Sequence, residues 1–149
     1  MKLSNFSTAL ASWLTTKLIS STALTTSNMK DSDCIFCKIA NKEIPAEIVY
    51  EDEKILVFPT KEPITKGHLL VVPKIHSENI LDIDKETLEK LIGVAQTLAQ
   101  QSIKQNSATG VNVLHAAGKD AQQSVFHFHM HIVPRYSDDG LDLWFRNKL

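Results

Sequence analysis

Short apolar runs recur along the chain after residue 33, and each run predicts one element. The β-branched and aromatic runs 47–51 and 54–58 predict a hairpin, with acidic residues between them. The continuous apolar run 68–73 predicts a strand that is buried on both faces. The runs 111–114 and 125–133 predict the last two strands, so the pattern indicates a sheet of five strands.

A long amphipathic helix is predicted between the third and fourth strands. Asp84 is a suitable N-cap, and apolar side chains then recur at helical spacing to about Gln105. These positions are Leu88, Leu91, Ile92, Ala95, Ala99 and Ile103. A short helical turn is predicted after Cys34. One long helix with five strands indicates an α+β domain with a mostly antiparallel sheet.

Composition suits one globular domain and sets the N-terminus apart. The chain has 149 residues, 43% hydrophobic and 22% charged, which is enough for a hydrophobic core. Residues 1–28 are rich in Ser, Thr and Leu and contain no acid, Gly or Pro, and Met29 offers an internal start. We expect residues 1–28 to be an extension outside the fold and residues 29–149 to form the domain. An organellar leader is the alternative for residues 1–28.

The net charge and the cysteine content indicate which partners to expect and in which cellular compartment the protein functions. The formal net charge of −1 gives no strong attraction to nucleic acid or an anionic membrane. No run approaches the roughly 18 apolar residues of a spanning helix. Cys34 and Cys37 form a Cys-x-x-Cys pair, which suits a redox pair or half of a metal site in a reducing compartment. We therefore expect a cytoplasmic protein with neither nucleic-acid nor membrane partners.

Three of the six histidines alternate with apolar residues near the C-terminus. They are His127, His129 and His131, and in a strand they share one face. The opposite face is predicted to be core and carries Phe126, Phe128, Met130 and Ile132. Such a row can bind a metal, can supply acid–base groups that titrate near neutral pH, or can be an exposed polar face without function. Strict alternation of three histidines favours chemistry over the last alternative.

Residues 127–133 read His-Phe-His-Met-His-Ile-Val, which resembles the histidine triad (HIT) signature His-φ-His-φ-His-φ-φ, with φ apolar. Further segments resemble the Hint-like branch of that family: 34–39, 44–47, 49–52, 66–74 and 123–127. The resemblance implies a HIT-like α+β fold with a mostly antiparallel five-stranded sheet, one long helix and a short N-terminal helix. It also implies a homodimer that binds a purine nucleotide such as AMP, with residues 141–145 near the partner's active site.

The resemblance also implies an activity. The family's middle histidine, His129 here, attacks the α-phosphorus of a nucleotide to form a nucleotidyl-histidine. His131 contacts the phosphate and helps to protonate the leaving group, and His68 is similar to the fourth active-site histidine. With His127 these form the predicted catalytic set. The implied substrate is a nucleoside 5′-phosphoramidate or a related AMP derivative. Two alternatives stay open: a dinucleoside polyphosphate hydrolase, and a nucleotide-binding regulatory module with little turnover.

The implied substrate-binding residues surround these histidines. Ser124 corresponds to the donor to a phosphate oxygen, and the neighbouring Gln123 is also expected to bind the substrate. The implied nucleoside pocket contains Phe36, Ile44, Val57 and Phe58, for which the alternative is plain core. Three positions depart from the family pattern: Thr60 where relatives commonly have an acid for the ribose hydroxyls, Ala116 where many have Asn, and Gln122 where relatives have Gly. These departures leave ribose recognition and substrate preference open.

A second site follows from the cysteine pair. Structural zinc takes four Cys or His ligands in a closed tetrahedron. In zinc-bearing relatives a histidine after the Pro-Lys pair and the first triad histidine complete the site. The implied structural zinc ligands are Cys34, Cys37, His76 and His127. Two buried thiols without a metal are the alternative. We assign no role to His115 and expect it to be packed or solvated.

Overall fold

The structure is a computed structural model that describes residues 33–143. The predicted boundary between residues 28 and 29 lies outside this range, and so do residues 144 and 145 of the C-terminal segment. Among the residues that are described, no helix is long and apolar enough to cross a membrane.

Within residues 33–143, two helices and five strands follow one another along the chain. They are α1 (Ile35–Ala40), β1 (Tyr50–Glu51), β2 (Ile55–Pro59), β3 (Leu69–Pro73), α2 (Lys85–Gln105), β4 (Gly110–Leu114) and β5 (Met130–Arg135), with a 3-10 turn at Lys119–Ala121. The sheet order is β1-β2-β3-β5-β4, and each neighbouring pair is antiparallel. The predicted α+β class, sheet, long helix and short N-terminal helix are confirmed.

The two faces of this sheet have different partners. Along β2, Ile55 and Val57 pack towards α2, whereas Leu56 and Phe58 pack towards α1. Because successive strand residues point to opposite faces, the sheet separates two clusters. The side towards α2, called the helix face, buries Ile55, Val57, Val71, Leu91, Ala95, Leu98, Phe128, Met130 and Ile132. The side towards α1, called the histidine face, buries Cys34, Phe36, Cys37, Leu56, Phe58, Leu70 and Val72.

Helix α2 begins and ends as the sequence predicts, but its buried stripe is different. The Asp84 side chain accepts a hydrogen bond from the Thr87 backbone N–H at 2.9 Å. The buried residues are Thr87, Leu91, Ala95, Leu98 and Ser102. Ile92 and Ile103 are 52% and 46% exposed, so the prediction that they face the core is wrong. Leu91 and Ile92 lie about 100° apart around the helix, and Leu91 is the one that packs against the sheet.

The last strand is shorter than predicted. It begins at Met130 rather than at Val125, and the predicted core position Phe126 is 45% exposed. Before Met130 the chain bonds to the loop that follows β3 instead of to a ladder: the Phe128 N–H donates to the Ser77 carbonyl at 2.6 Å. Alternation nevertheless persists from Phe128 onward, which puts His129 and His131 opposite the helix-face residues.

Candidate active site and metal site

His129 lies one residue before β5 and is oriented by a backbone carbonyl. Its side chain is 3% exposed, and its Nδ1 lies 2.7 Å from the His127 carbonyl oxygen. A carbonyl only accepts, so Nδ1 carries the hydrogen and donates. The lone pair therefore lies on Nε2, the ring nitrogen that remains available to a substrate. The Phe36 ring packs edge-on against this imidazole, with centroids 5.3 Å apart.

His68 and His131 form a hydrogen-bonded pair beside His129. The Ile64 N–H donates to His68 Nδ1 at 3.4 Å, so the hydrogen of the neutral His68 ring lies on Nε2. That Nε2 lies 2.9 Å from His131 Nδ1 and donates to it. The hydrogen of His131 must then lie on its own Nε2. The rings of His129 and His131 are 5.0 Å apart, which places a lone-pair nitrogen and an N–H donor side by side.

Burial keeps these imidazoles neutral. Desolvation lowers the pKa of His129 and of His68 below the ordinary 6.5. Desolvation, with smaller contributions from the neighbouring His129 and His68, lowers the pKa of His131 to about 4. The charged form is disfavoured because burial removes its hydration. At neutral pH, His129 therefore keeps the lone pair that a nucleophile needs.

His129 and His131 line a cavity of about 540 Å³ on the histidine face. Its apolar wall includes Phe36, Ile44 and Phe58, as predicted from the resemblance, and its polar lining includes Ser124 and Thr60. Val57 does not belong to it: it is 0% exposed and packs on the helix face. The prediction of Val57 as a pocket residue is wrong because alternation along β2 turns it away.

Gln123 does not line the cavity, contrary to the prediction that it binds the substrate. Its side chain is buried, with Oε1 accepting from the Gly118 N–H at 2.7 Å and Nε2 donating to the Glu78 carbonyl at 2.6 Å and the Val125 carbonyl at 3.0 Å. The amide is fully occupied in holding the loop before the triad. The next residue along, Ser124, is the one that reaches the cavity.

His127 lies in the metal site rather than in the cavity. It is 0% exposed, and its Nε2 donates to the Pro73 carbonyl at 2.8 Å. Its lone pair therefore lies on Nδ1, which is 3.3 Å from Cys34 Sγ and 3.5 Å from Cys37 Sγ. A carbonyl that accepts from one ring nitrogen, and so leaves the lone pair on the other, is typical of metal-bound histidines. Burial lowers the pKa of His127 to about 4, so the ring is neutral and able to ligate.

His76 completes this group from the loop that follows β3. Its Nδ1 lies 3.3 Å from Cys37 Sγ. One ligand atom from each of Cys34, Cys37, His76 and His127 lies within 4.8 Å of the others. Two thiols and two imidazoles are a tetrahedral zinc donor set, and the fixed tautomer of His127 fits it. The four residues thus form a metal site suited to structural zinc.

Several residues at these sites were not predicted from the sequence. Glu47 and Lys61 also line the cavity, and the half-buried His115 contacts the His129 backbone. Glu47 and Lys61 are ordinary charged residues in loops, so no local pattern distinguishes them. Gln122 has φ 64°, in the left-handed region that glycine favours, which is consistent with the glycine that the family resemblance implies at this position.

Fold and site together define a class: small α+β proteins in which a pair of neutral imidazoles faces an apolar cavity beside a Cys₂His₂ metal site. The comparisons with known proteins place the chain within this class. A family model described as HIT domain matches residues 41–138. The chain therefore belongs to the HIT family.

Individual relatives agree with this membership. An uncharacterized HIT-like protein of Borreliella burgdorferi is 44% identical over 119 residues, 78% of this chain and 86% of that protein. A zinc-bound histidine triad family protein from Mycobacterium smegmatis has a TM-score of 0.71 and 38% identity, covering 75% of this chain and 81% of that one. A HIT family hydrolase from Clostridium thermocellum has a TM-score of 0.65 and 29% identity, covering 75% and 97%.

Proposed function

We propose that this protein hydrolyses a nucleoside 5′-phosphoramidate, or a related AMP derivative, through a nucleotidyl intermediate on His129. One observation carries the proposal: His129, whose lone pair lies on Nε2, and His131, whose N–H lies on Nε2, line the same cavity. A nucleophile and an acid at one site are what a two-step displacement at phosphorus needs.

The first step forms a bond from His129 Nε2 to the α-phosphorus and breaks the phosphorus–nitrogen bond of the substrate. Binding of the anionic substrate adds one proton to the His68–His131 pair, because a nearby negative charge favours the charged form of an imidazole. The departing amine then takes the hydrogen of His131 Nε2. The hydrogen that His68 Nε2 donates to His131 Nδ1 moves onto His131, so both rings end this step neutral. The hydrogen stays on His129 Nδ1 and remains hydrogen-bonded to the His127 carbonyl, which stabilises the positive charge that develops on the ring. In the second step water attacks phosphorus and returns a proton to His131, which releases a nucleoside monophosphate and free His129.

The walls of the cavity suit the rest of such a substrate. Ser124 offers a hydroxyl donor to a non-bridging phosphate oxygen, an electrostatic contribution that grows as charge develops there. Phe36, Ile44 and Phe58 offer apolar surface for the base. Thr60 lies in the same lining but is uncharged, so we expect the ribose hydroxyls to be held more weakly than by a carboxylate.

The metal site supports this chemistry from outside. Zinc held by Cys34, Cys37, His76 and His127 would serve a structural purpose, cross-linking α1, the loop after β3 and the triad segment. The residue that supplies a ligand through its ring, His127, also supplies the carbonyl that orients His129. Ordering this segment therefore orders the nucleophile.

We also propose a homodimer. Ile92 and Ile103 on α2 are about half exposed, as are Val113 and Leu114 at 46% and 38%. The latter two lie on β4, an edge of the described sheet, whose outer backbone groups can pair with another strand. Light scattering should give twice the chain mass, and Val113→Lys should give the single mass. A monomeric wild-type protein would contradict this proposal.

The activity is tested with His129→Ala. We expect this variant to lose about three orders of magnitude or more in kcat/KM with adenosine 5′-phosphoramidate, because it removes the nucleophile. Phe126→Leu is the matched control, since Phe126 is an exposed residue of the same segment, and it should retain wild-type activity. Mass spectrometry after an alkaline quench should find one nucleotidyl group on His129, because a phosphorus–nitrogen bond is labile in acid.

Three results would contradict the proposal in different ways. His129→Ala activity within tenfold of wild type would exclude His129 as the nucleophile. Faster turnover of diadenosine polyphosphates than of the phosphoramidate would favour the dinucleoside polyphosphate hydrolase. Nucleotide binding without turnover or an adduct would favour the regulatory module.

A further inference from the structure

His115 joins three segments at the end of β4. Its Nδ1 lies 2.9 Å from the carbonyl oxygen of His129, and its Nε2 lies 3.2 Å from the backbone nitrogen of Ile80. Its ring stacks on Phe128, with centroids 4.4 Å apart and the planes 26° from parallel. The ring is half-buried and does not line the cavity.

The two hydrogen bonds select one form of the ring. The Ile80 backbone N–H can only donate, so His115 Nε2 accepts and carries no hydrogen. The hydrogen then lies on Nδ1, which donates to the His129 carbonyl. A neutral imidazole in this tautomer satisfies both backbone groups at once. An apolar ring in its place would keep the stacking and satisfy neither group.

The bonded carbonyl belongs to the residue whose orientation the proposed reaction needs. His129 precedes the first residue of β5, so its carbonyl lies at the point where the ladder ends. Its ring is held by the His127 carbonyl and its backbone by His115. The direction of His129 Nε2 depends on both restraints, because rotating the 129–130 peptide moves the Cα from which the ring extends.

We propose that His115 is a positioning residue for the nucleophile. It holds the His129 backbone through Nδ1–H and ties it to Ile80, in the loop that also carries the metal ligand His76. This inference rests on the proposed role of His129. A displacement of about 1 Å in a reacting group can cost roughly 100-fold in rate, so a restraint on this backbone affects the chemical step rather than substrate binding.

Three substitutions separate the contacts of His115. His115→Phe keeps an aromatic ring on Phe128 and removes both hydrogen bonds. His115→Asn places an amide N–H near the position of Nδ1 and keeps the bond to His129. His115→Gln places its terminal group near Nε2 and keeps the bond to Ile80. Because all three retain a side chain of moderate size, the series separates hydrogen bonding from packing.

The measurement is single-turnover formation of the His129 adduct with adenosine 5′-phosphoramidate, together with steady-state kcat and KM. We expect His115→Phe to lower the adduct-formation rate and kcat by about 10- to 100-fold, with KM within twofold of wild type. His115→Asn should recover most of this loss, and His115→Gln should recover little. Thermal melting identifies any variant that fails to fold. If Phe fails, the Asn and Gln pair still decides the question.

Other outcomes overturn the inference. Wild-type kcat in His115→Phe would show that neither hydrogen bond matters. Equal kcat in the Asn and Gln variants, or losses that appear in KM or track the melting temperature alone, would make His115 a packing residue. If the proposed function itself fails, His129→Ala stays active. If only the inference about His115 fails, His129→Ala is inactive but the His115 variants do not follow the expected order.

Discussion

The two faces of the sheet are built from the same strands but bury different chemistry. The helix face buries mainly apolar side chains, such as Leu91 and Phe128, against one long helix. The histidine face buries thiols beside its apolar residues and includes the buried rings of His127 and His129. Each of these rings needs a specific carbonyl partner. The helix face therefore stabilises the fold through apolar burial, which has no directional requirement. The histidine face also needs hydrogen bonds of defined direction to keep its buried rings satisfied.

Metal removal should have the largest effect on stability. Cys37→Ser removes a ligand, and a zinc-bound wild type gains about 4 kcal/mol when free zinc exceeds its Kd 1,000-fold. We expect the variant to contain no zinc by elemental analysis, to melt at a lower temperature and to lose activity. Adding zinc to the stripped wild type should restore both properties, and adding it to Cys37→Ser should not. Equal stability of the zinc-loaded and stripped wild type would exclude a structural site.

A cavity on the helix face should reduce stability without changing the chemistry. Leu91 is 0% exposed, and Leu91→Ala should lower the free energy of unfolding by about 3 kcal/mol. Leu81→Ala is the control, because Leu81 is 86% exposed and should change little. Urea unfolding measures both variants. At a temperature where Leu91→Ala is folded, its kcat should stay within about twofold of wild type. A large loss of kcat would show that the two faces are coupled.

Acid should destabilise the protein through the histidine face. The pKa of His131 is about 4 when folded and 6.5 ordinarily, so between these values the unfolded chain binds more protons. The free energy of unfolding therefore falls as the pH falls from 6.5 towards 4. In His131→Gln this fall should be shallower. Urea unfolding at pH 7.5 and at pH 5 measures the free energy of unfolding of both proteins. If the difference between the two pH values is the same in His131→Gln as in wild type, His131 is not the group responsible.

Thr60→Asp should strengthen ribose recognition. A carboxylate accepts hydrogen bonds from both ribose hydroxyls, and recovery of about 1.4 kcal/mol would tighten AMP binding up to roughly tenfold. The affinity for 2′,3′-dideoxy-AMP should change little, and Thr60→Asn should give a smaller gain because its amide is uncharged. Titration calorimetry with both nucleotides decides it: equal changes for the two would mean that Thr60 does not face the ribose.

The smallest expected change concerns the loop before the triad. Gln122 has φ 64°, a conformation that costs a non-glycine residue roughly 1–2 kcal/mol. After the extra entropy that glycine loses on folding, Gln122→Gly should raise the free energy of unfolding by about 0.5–1 kcal/mol. The same change at Gln100, an exposed residue within α2, should lower it by about 1 kcal/mol. Equal signs in the two variants would contradict this reading of the backbone.

Local patterns predicted most of the elements. The N-cap at Asp84 and the end of α2 at Gln105 agree with the structure, and the strand predicted at 68–73 is found at Leu69–Pro73. Such signals depend on neighbours a few residues away, so the sequence displays them directly. The predictions for Ile92 and Phe126 were wrong because more apolar residues are present than the core face can bury. The packing of α2 on the sheet decides which helix residues are buried, and the metal-site loop decides where the last strand begins.

For the candidate site too, some features were evident in the sequence and others appear only in the folded structure. The spacing of His127, His129 and His131, read with the family resemblance, pointed to the chemistry because residue types and their order are local information. Only the tertiary structure decided which nitrogen is available in the His127 and His131 rings, because that choice depends on distant partners: Pro73 for His127 and His68 for His131. It also brought His115 to the His129 carbonyl. Hydrogen-bond partners that are 14 to 63 residues apart leave no periodic trace in a sequence, so their pairing appears only when the chain is folded.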